Sequence, residues 1–166
     1  MSVITPADFP EIRKKHKNKI IVYCDGSFDL PHAGHVLHLE DCKRRGDYLV
    51  VGVGSDKDHK RYKGNERPIL NESVRIKIID SFKPVNYCFI NRLPETGSNL
   101  LPHLDGFLSS LKPDIYAINE DAFDIPYRKK VAKKHGVKLV ILKRSSPPEF
   151  DNISTSRIIE KIKKAK

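Results

Sequence analysis

Five short apolar segments constrain the fold of this chain more than any other feature of its sequence. Each is rich in the β-branched and aromatic residues that strands favour. Their apolar residues are continuous and do not alternate with polar ones, which is typical of strands covered on both faces. We therefore expect five buried strands, at residues 20–24, 48–53, 87–90, 115–118 and 139–142.

Helical patterns separate the predicted strands, and this alternation indicates a parallel sheet with right-handed crossovers. The prediction is an α/β fold: a single Rossmann-like domain over residues 1–166, with its core at about 19–162. We expect a five-stranded parallel sheet with helices on both faces. The predicted helices cover residues 35–45, 72–82, 99–111 and 126–135, and a last one starts near Ser154.

The composition narrows the class of protein. Lys and Arg number 31 and Asp and Glu 21 among 166 residues, which gives a net charge of +10, and 39% of the residues are hydrophobic. These values exclude a disordered, collagen-like or coiled-coil chain. No apolar run approaches the ~18 residues of a membrane span, and residues 1–18 lack the apolar core of a signal peptide. We expect a cytoplasmic protein whose cysteines, Cys24, Cys42 and Cys88, are reduced and mostly buried.

The positive charge favours anionic partners, which include nucleic acid, anionic lipid and small phosphorylated molecules. Basic residues cluster at 13–17, 128–130 and 161–166. These clusters contain no interleaved aromatic residues, so they are typical of helix faces and termini. We expect no nucleic-acid partner.

The loop after the first predicted strand reads D-G-S-F-D-L-P-H-A-G-H over residues 25–35. Parallel sheets bind ligands at the carboxyl ends of their strands. Gly26 allows the backbone to approach a ligand closely, and His32 and His35 flank Gly34 where the next helix begins. Unpaired N–H groups at a helix N-terminus attract phosphate, and two imidazoles add donors. The loop predicts a phosphate site; a metal pair and two surface histidines are the alternatives.

This loop resembles G-x-F-D-x-x-H-x-G-H, the signature of the nucleotidylyltransferase superfamily. Its start, Y-C-D-G-S-F-D-L at residues 23–30, is similar to choline- and ethanolamine-phosphate cytidylyltransferases, and the resemblance extends to the glycerol-3-phosphate enzymes. Further elements of the family follow in the same order through most of the chain. They are V-G-V-G-S-D at 51–56, K-G at 63–64, N-E-S-V-R at 71–75 and I-S-T-S at 153–156.

Two subfamilies compete for the choice of nucleotide. K-G-N-E-R-P at 63–68 and L-K-P-D at 111–114 also resemble bacterial heptose-phosphate adenylyltransferases. N-E-D at 119–121 is closer to the acidic pair of the cytidylyltransferases, but the extra residues at 146–152 depart from their R-T-x-G element. From these motifs we favour CTP over ATP as the nucleotide substrate.

The resemblance implies a reaction in which a phosphate of the acceptor attacks the α-phosphorus of a nucleoside triphosphate and releases pyrophosphate. It implies four catalytic residues: His32, His35, Lys63 and Arg75. Lys63 and Arg75 would reach the phosphates, and Asp29 would orient a histidine or a Mg²⁺-bound water. The implied nucleotide-binding residues are Gly26, Ser27, Phe28, Asp29, Gly34, Asn119, Asp121, Ser154, Thr155 and Ser156. Mg²⁺ is the expected cofactor, and its protein ligands remain unassigned.

Loops at residues 91–99 and 122–127 are predicted to shape the acceptor pocket. The favoured function is transfer of CMP from CTP to a phospho-alcohol or a sugar phosphate. The alternative is adenylyl transfer from ATP to a heptose or other sugar 1-phosphate or to flavin mononucleotide. A third hypothesis is a non-catalytic nucleotide or RNA binder. The resemblance also leads us to expect a homodimer.

Overall fold

The computed structural model describes residues 3–92, 101–144, 147–150 and 153–165. Within these ranges each predicted apolar segment forms a strand, and the strands pair in one parallel sheet of order β3-β2-β1-β4-β5. The predicted α/β fold with a five-stranded parallel sheet is confirmed. The strands are β1 (Ile21–Gly26), β2 (Tyr48–Gly54), β3 (Tyr87–Asn91), β4 (Ile115–Asn119) and β5 (Lys138–Leu142).

Seven α-helices lie in the described part of the chain, and a short 3₁₀ helix, Pro6–Asp8, precedes the first. The five predicted helices are present with shifts of a few residues at their ends; residues 99 and 100 of the third lie outside the described residues. The helices are α1 (Phe9–Lys15), α2 (Ala33–Lys43), α3 (Asp56–Lys63), α4 (Glu72–Asp80), α5 (Pro102–Leu111), α6 (Ile125–Lys134) and α7 (Thr155–Lys164).

Two helices, α1 and α3, were not predicted as elements because neither has a clear apolar period. Helix α1 has seven residues and buries only Phe9 and Ile12. Helix α3 reads D-K-D-H-K-R-Y-K and depends on its termini: the Ser55 side chain accepts the Asp58 N–H, acidic residues begin the helix and basic residues end it. Capping and charge placement of this kind stabilise a helix without an apolar stripe.

Helices cover both faces of the sheet, as predicted. Successive residues of a buried strand point to opposite faces, so Tyr23 belongs to one core cluster and Val22 to the other. The first cluster packs under α1, α5 and α6, and the second under α2 and α4. The sheet therefore contributes both side-chain layers of the core and presents its strand ends to ligands.

The described part of the chain contains no helix that is both long and apolar enough to cross a membrane. All three cysteines are buried and free, in agreement with the expectation from the sequence.

Candidate functional site

A cavity of about 680 Å³ opens at the carboxyl ends of β1 and β4. From these adjacent strands the chain leaves toward opposite edges of the sheet, and parallel sheets bind ligands at such a point. The structure places every predicted site residue except Arg75 around the cavity. These residues are Gly26, Ser27, Phe28, Asp29, His32, Gly34, His35, Lys63, Asn119, Asp121, Ser154, Thr155 and Ser156.

The two histidines of the motif form the N-terminus of α2. His32 is the N-cap, and its Nδ1 accepts the N–H of Gly34 at 3.1 Å. The His35 Nδ1 accepts the N–H of His32 at 3.3 Å, and the two ring centroids lie 4.0 Å apart. Because each Nδ1 is an acceptor, the proton of each neutral ring is on Nε2. The pair therefore offers two oriented N–H donors.

Burial favours the neutral form of both imidazoles. Burial, followed by the nearby His32, lowers the pKa of His35 to about 3. Burial and the charge of Arg144 also lower the pKa of His32. The positive charges that line the cavity are therefore those of Lys63, Arg67, Arg128, Lys143 and Arg144.

Gly34 is required by the packing of this helix start. A Cβ at this position would lie 3.0 Å from the His32 ring, closer than such carbon atoms normally approach. A side chain at Gly34 would require the N-cap imidazole to shift by a few tenths of an ångström. The glycine of the motif thus allows the histidine to cap its own helix.

Lys63 is the last residue of α3, and Gly64 ends that helix with φ 87°. A positive φ favours glycine, which explains the K-G element of the sequence. Burial, followed by the charge of Arg67, lowers the pKa of the Lys63 ammonium. An anion in the cavity would relieve this repulsion between cations.

The Asp29 carboxylate forms no hydrogen bond with His32 or His35 in the described structure, and its role toward a Mg²⁺-bound water stays a prediction. It is buried, pairs with Arg67 at 2.7 Å and accepts the N–H groups of Ile69 and Leu70. Burial alone would raise the pKa of Asp29, but the hydrogen bonds from Leu70 and Ile69 and the pairing with Arg67 lower it. Asp29 holds the segment after α3 against the loop after β1, and this places Arg67 at the cavity.

The prediction that Arg75 reaches the phosphates needs correction. Its side chain is fully buried in α4 and does not line the cavity. It donates to the carbonyl oxygens of Ser27 (2.6 Å) and Leu70 (2.9 Å) and pairs with Asp56 at 2.7 Å. All three of its nitrogens thus bond to protein groups. Arg75 is a positioning residue that supports the backbone at Ser27.

The N-terminus of α7 faces the same cavity as that of α2. The Ser154 side chain caps α7 by accepting the N–H of Arg157. The Thr155 Oγ1 donates to the carbonyl oxygen of Asp29 at 2.6 Å, which ties α7 to the loop after β1. Two helix N-termini that meet at one cavity concentrate unpaired N–H groups and positive potential there.

Sequence reasoning missed a buried polar network in the wall of the cavity. Asp25, at the end of β1, pairs with Arg128 of α6 at 2.9 Å and accepts the Tyr116 hydroxyl at 2.9 Å. Arg128 also donates to the Phe123 carbonyl oxygen at 2.7 Å. Asp25 directly precedes the G-x-F-D-x-x-H-x-G-H motif, and its position there could have indicated the network. Arg128 lies in a basic run that is typical of a helix face, so nothing local marked it as buried.

Arg144 was also missed as a cavity residue. It pairs with Asp121 at 2.9 Å, and its N–H donates to Glu120 at 3.3 Å. This pairing brings the acidic segment after β4 to the cavity, where Asn119 and Asp121 were predicted. Of the predicted acceptor loops, Ala122 and Phe123 of the loop at 122–127 line the cavity. In the loop at 91–99, Asn91 and Arg92 do not line it, and residues 93–99 lie outside the described ranges.

Sequence similarity to known proteins indicates the family. The chain matches the family described as Cytidylyltransferase-like over residues 23–161. Bifunctional protein HldE of Campylobacter jejuni subsp. jejuni serotype O:2 is 37% identical over 153 residues, which are 92% of this chain and 30% of that protein. The chain thus spans about a third of the length of such relatives. FAD synthase of Ferroglobus placidus is 30% identical over 142 residues, 85% of this chain and 86% of that protein.

Solved structures agree on the fold. The lipopolysaccharide core biosynthesis protein of Thermoplasma volcanium GSS1 is similar with a TM-score of 0.61 and 27% identity, covering 78% of this chain and 98% of that one. Pantoate-beta-alanine ligase of Francisella tularensis, solved with an ATP analogue and beta-alanine, has a TM-score of 0.62 and 16% identity, covering 98% and 77%. The second likeness is informative for the fold alone.

Proposed function

The chain belongs to the cytidylyltransferase-like family, and we propose that it transfers an adenylyl group from ATP to a small phosphorylated acceptor, releasing pyrophosphate. One observation carries this proposal: two helix N-termini, the His32 and His35 donors and Lys63 surround one cavity. This arrangement suits a triphosphate, whose charge is spread over several oxygens.

The chemistry needs no nucleophilic side chain. The acceptor phosphate is already an anion at neutral pH, so the protein has to position it in line with the α-phosphorus and neutralise charge. The Nε2–H groups of His32 and His35 would donate to the triphosphate, and the Lys63 ammonium would lie between the α-phosphate and the acceptor phosphate. The hydroxyls of Ser154 and Ser156, with the first N–H groups of α7, would hold the β- and γ-phosphates, while the Thr155 hydroxyl holds α7 against the loop after β1.

The choice of ATP rests on the relatives and reverses our preference from the sequence. FAD synthase is named for a product that contains an adenylyl group. The K-G-N-E-R-P element at residues 63–68 also resembles heptose-phosphate adenylyltransferases. CTP, which the N-E-D segment at 119–121 favoured, becomes the second candidate.

A sugar 1-phosphate is the acceptor we place first. The Thermoplasma volcanium relative is named for lipopolysaccharide core biosynthesis, and the resemblance at 63–68 is to enzymes of heptose phosphate. In the cavity wall, Arg128 neutralises Asp25, so the wall favours an acceptor with hydroxyl groups over one with a cationic head such as phosphocholine. Flavin mononucleotide is second, because FAD synthase matches this chain over most of both lengths.

Mg²⁺ fits this site as a companion of the triphosphate. Four carboxylates line the cavity, and each is paired with an arginine: Asp25 with Arg128, Asp29 with Arg67, Asp41 with Arg44 and Asp121 with Arg144. We propose that the phosphate oxygens and waters are the main Mg²⁺ ligands, since Mg²⁺ usually keeps several waters. When bound, Mg²⁺ would offset charge on the phosphates.

The proposal is tested by pyrophosphate release in Mg²⁺. ATP and CTP are each paired with heptose and other sugar 1-phosphates, flavin mononucleotide, glycerol phosphate and phosphocholine. We expect turnover with ATP and a sugar 1-phosphate. His35→Ala should lower kcat by about 10²-fold, the usual effect of removing one donor to a developing charge, whereas His135→Ala, which lies away from the cavity, should not.

Other outcomes of the pyrophosphate-release test would favour other functions. Turnover only with CTP would restore the cytidylyltransferase hypothesis. ATP binding without pyrophosphate release for any acceptor would contradict the proposal and favour a non-catalytic binder. Unchanged turnover in His35→Ala would remove the role assigned to this imidazole.

A further inference from the structure

Three side chains with soft metal-ligand atoms converge between β1 and α2. They are Cys24 of β1 and His38 and Cys42 of α2, and their ligand atoms all lie within 4.8 Å of one another. His38 and Cys42 are four residues apart and therefore share one face of the helix. The Cys42 Sγ lies 3.6 Å from the His38 Nε2.

We propose that this cluster binds one thiophilic divalent cation, Zn²⁺, through the Cys24 and Cys42 thiolates and the His38 imidazole. The site is separate from the reaction proposed above and does not depend on it. Two sulfurs and one imidazole nitrogen are ligands that Zn²⁺ takes in proteins, with a fourth position left for water.

The distances are compatible with coordination after small side-chain movements. Zn–S bonds of about 2.3 Å and Zn–N bonds of about 2.0 Å in a tetrahedron place ligand atoms roughly 3.5–3.8 Å apart. The His38–Cys42 separation already has this size. The remaining atoms need to approach by about 1 Å or less, which rotation about the cysteine χ1 angles can supply.

Burial and charge favour a divalent cation at this point. Both sulfurs are fully buried, among apolar residues that include Leu39 and Val51. Two thiolates and a neutral imidazole balance the charge of Zn²⁺, so the assembled site buries no net charge. Burying the same thiolates without a bound cation would cost free energy, because their charges would be unpaired in apolar surroundings.

His38 gives the site its route to solvent. It is the cluster member that lines the cavity, so a cation and its water can enter from that side. His38 also lies one helical turn after His35. Metal binding would therefore hold the start of α2 against the central strand β1. This start of α2 carries the imidazole N–H groups that we propose bind phosphate.

The test is metal binding by the full-length protein under reductant. We expect Co²⁺, the spectroscopic substitute for Zn²⁺, to bind with one equivalent per chain and to give a sulfur-to-cobalt charge-transfer band that Zn²⁺ abolishes. Zn²⁺ should raise the Tm. Cys42→Ser should lose the band and the Tm shift. Cys88→Ser should keep both, because Cys88 is equally buried on β3 but outside the cluster.

Absence of the charge-transfer band in the wild-type protein would overturn the proposal, and this result needs no variant to fold. A disulfide between Cys24 and Cys42 in the protein isolated without reductant, with no Co²⁺ uptake after reduction, would also overturn it. A band that persists in a folded Cys42→Ser protein would place the metal elsewhere and contradict the assigned ligands.

Discussion

At the scale of single residues, the pairing of each polar group decides its role. His35 is held neutral by burial, and its Nδ1 is already an acceptor, so its function is to donate. Arg128 is held by Asp25 and by the Phe123 carbonyl oxygen, so it belongs to the cavity wall. Replacing one such group should therefore change the stability or the binding that its pairing supports.

We predict that His35 makes the protein less stable as pH falls. Its pKa is about 3 in the folded chain and about 6.5 when unfolded. Between these values the unfolded state binds the extra proton, so the free energy of unfolding decreases as pH falls from about 6.5. In His35→Asn this loss should be smaller. Urea unfolding at pH 7.5 and pH 5 measures the difference; equal losses in both proteins would contradict it.

We predict that Arg128→Lys weakens acceptor binding specifically. A lysine keeps the charge beside Asp25 but cannot reproduce the fork of donors that a guanidinium presents. We expect the KM of the acceptor to rise about tenfold, the effect of losing roughly 1.4 kcal/mol of hydrogen bonding, with the KM of ATP nearly unchanged. Lys129→Gln, on an exposed neighbour, is the control. Equal rises in the KM of the acceptor and the KM of ATP would contradict a specific role of Arg128 in acceptor binding.

At the scale of elements, α7 is joined at its first turn to the loop after β1. It has no buried residue of its own, and the hydroxyl of Thr155 joins its first turn to the Asp29 carbonyl oxygen. Helices α1, α2, α4, α5 and α6 are fixed by apolar side chains in the core. The position of α7 is therefore sensitive to one hydrogen bond and to any ligand at its N-terminus.

We predict that Thr155→Val weakens ATP binding about fivefold. The lost hydrogen bond contributes about 1 kcal/mol, and its loss frees the N-terminus of α7 from the phosphate site. Thr155→Ser keeps the hydroxyl and should bind ATP as the wild type does. Titration calorimetry measures both affinities, and hydrogen exchange in α7 should slow when ATP binds. Equal affinities in the two variants would contradict this tie.

At the scale of the whole molecule, the charge of +10 is dispersed. The three basic clusters lie on or next to α1, α6 and α7. Some of these cations also have internal partners: Arg13 pairs with Asp114, and Arg128 with Asp25. Because the basic residues that the structure describes lie on three separate helices, we expect weak binding of nucleic acid.

We predict that single-stranded RNA binds only at low salt. Binding through dispersed cations releases counterions and falls steeply as salt increases. Fluorescence anisotropy of a labelled oligonucleotide at 50 and 200 mM salt measures this, with ATP as competitor. RNA binding that persists at 200 mM and is displaced by ATP would support the non-catalytic binder instead.

The expected homodimer stays a prediction. Sedimentation equilibrium should give twice the chain mass of 19.0 kDa, and a single-chain mass at every concentration would contradict it.

The sequence by itself determined the five strands, five of the seven described α-helices and the motif residues at the cavity. Strands covered on both faces must be continuously apolar, and a glycine between two histidines at a helix start is a local requirement of the chain. Only the tertiary structure decided the partners. Arg128 meets Asp25 across 103 positions, and Thr155 meets Asp29 across 126. Such pairs depend on which helices pack beside which strand ends. For the same reason Arg75 matched the motif and yet lies buried, supporting the backbone beneath the site.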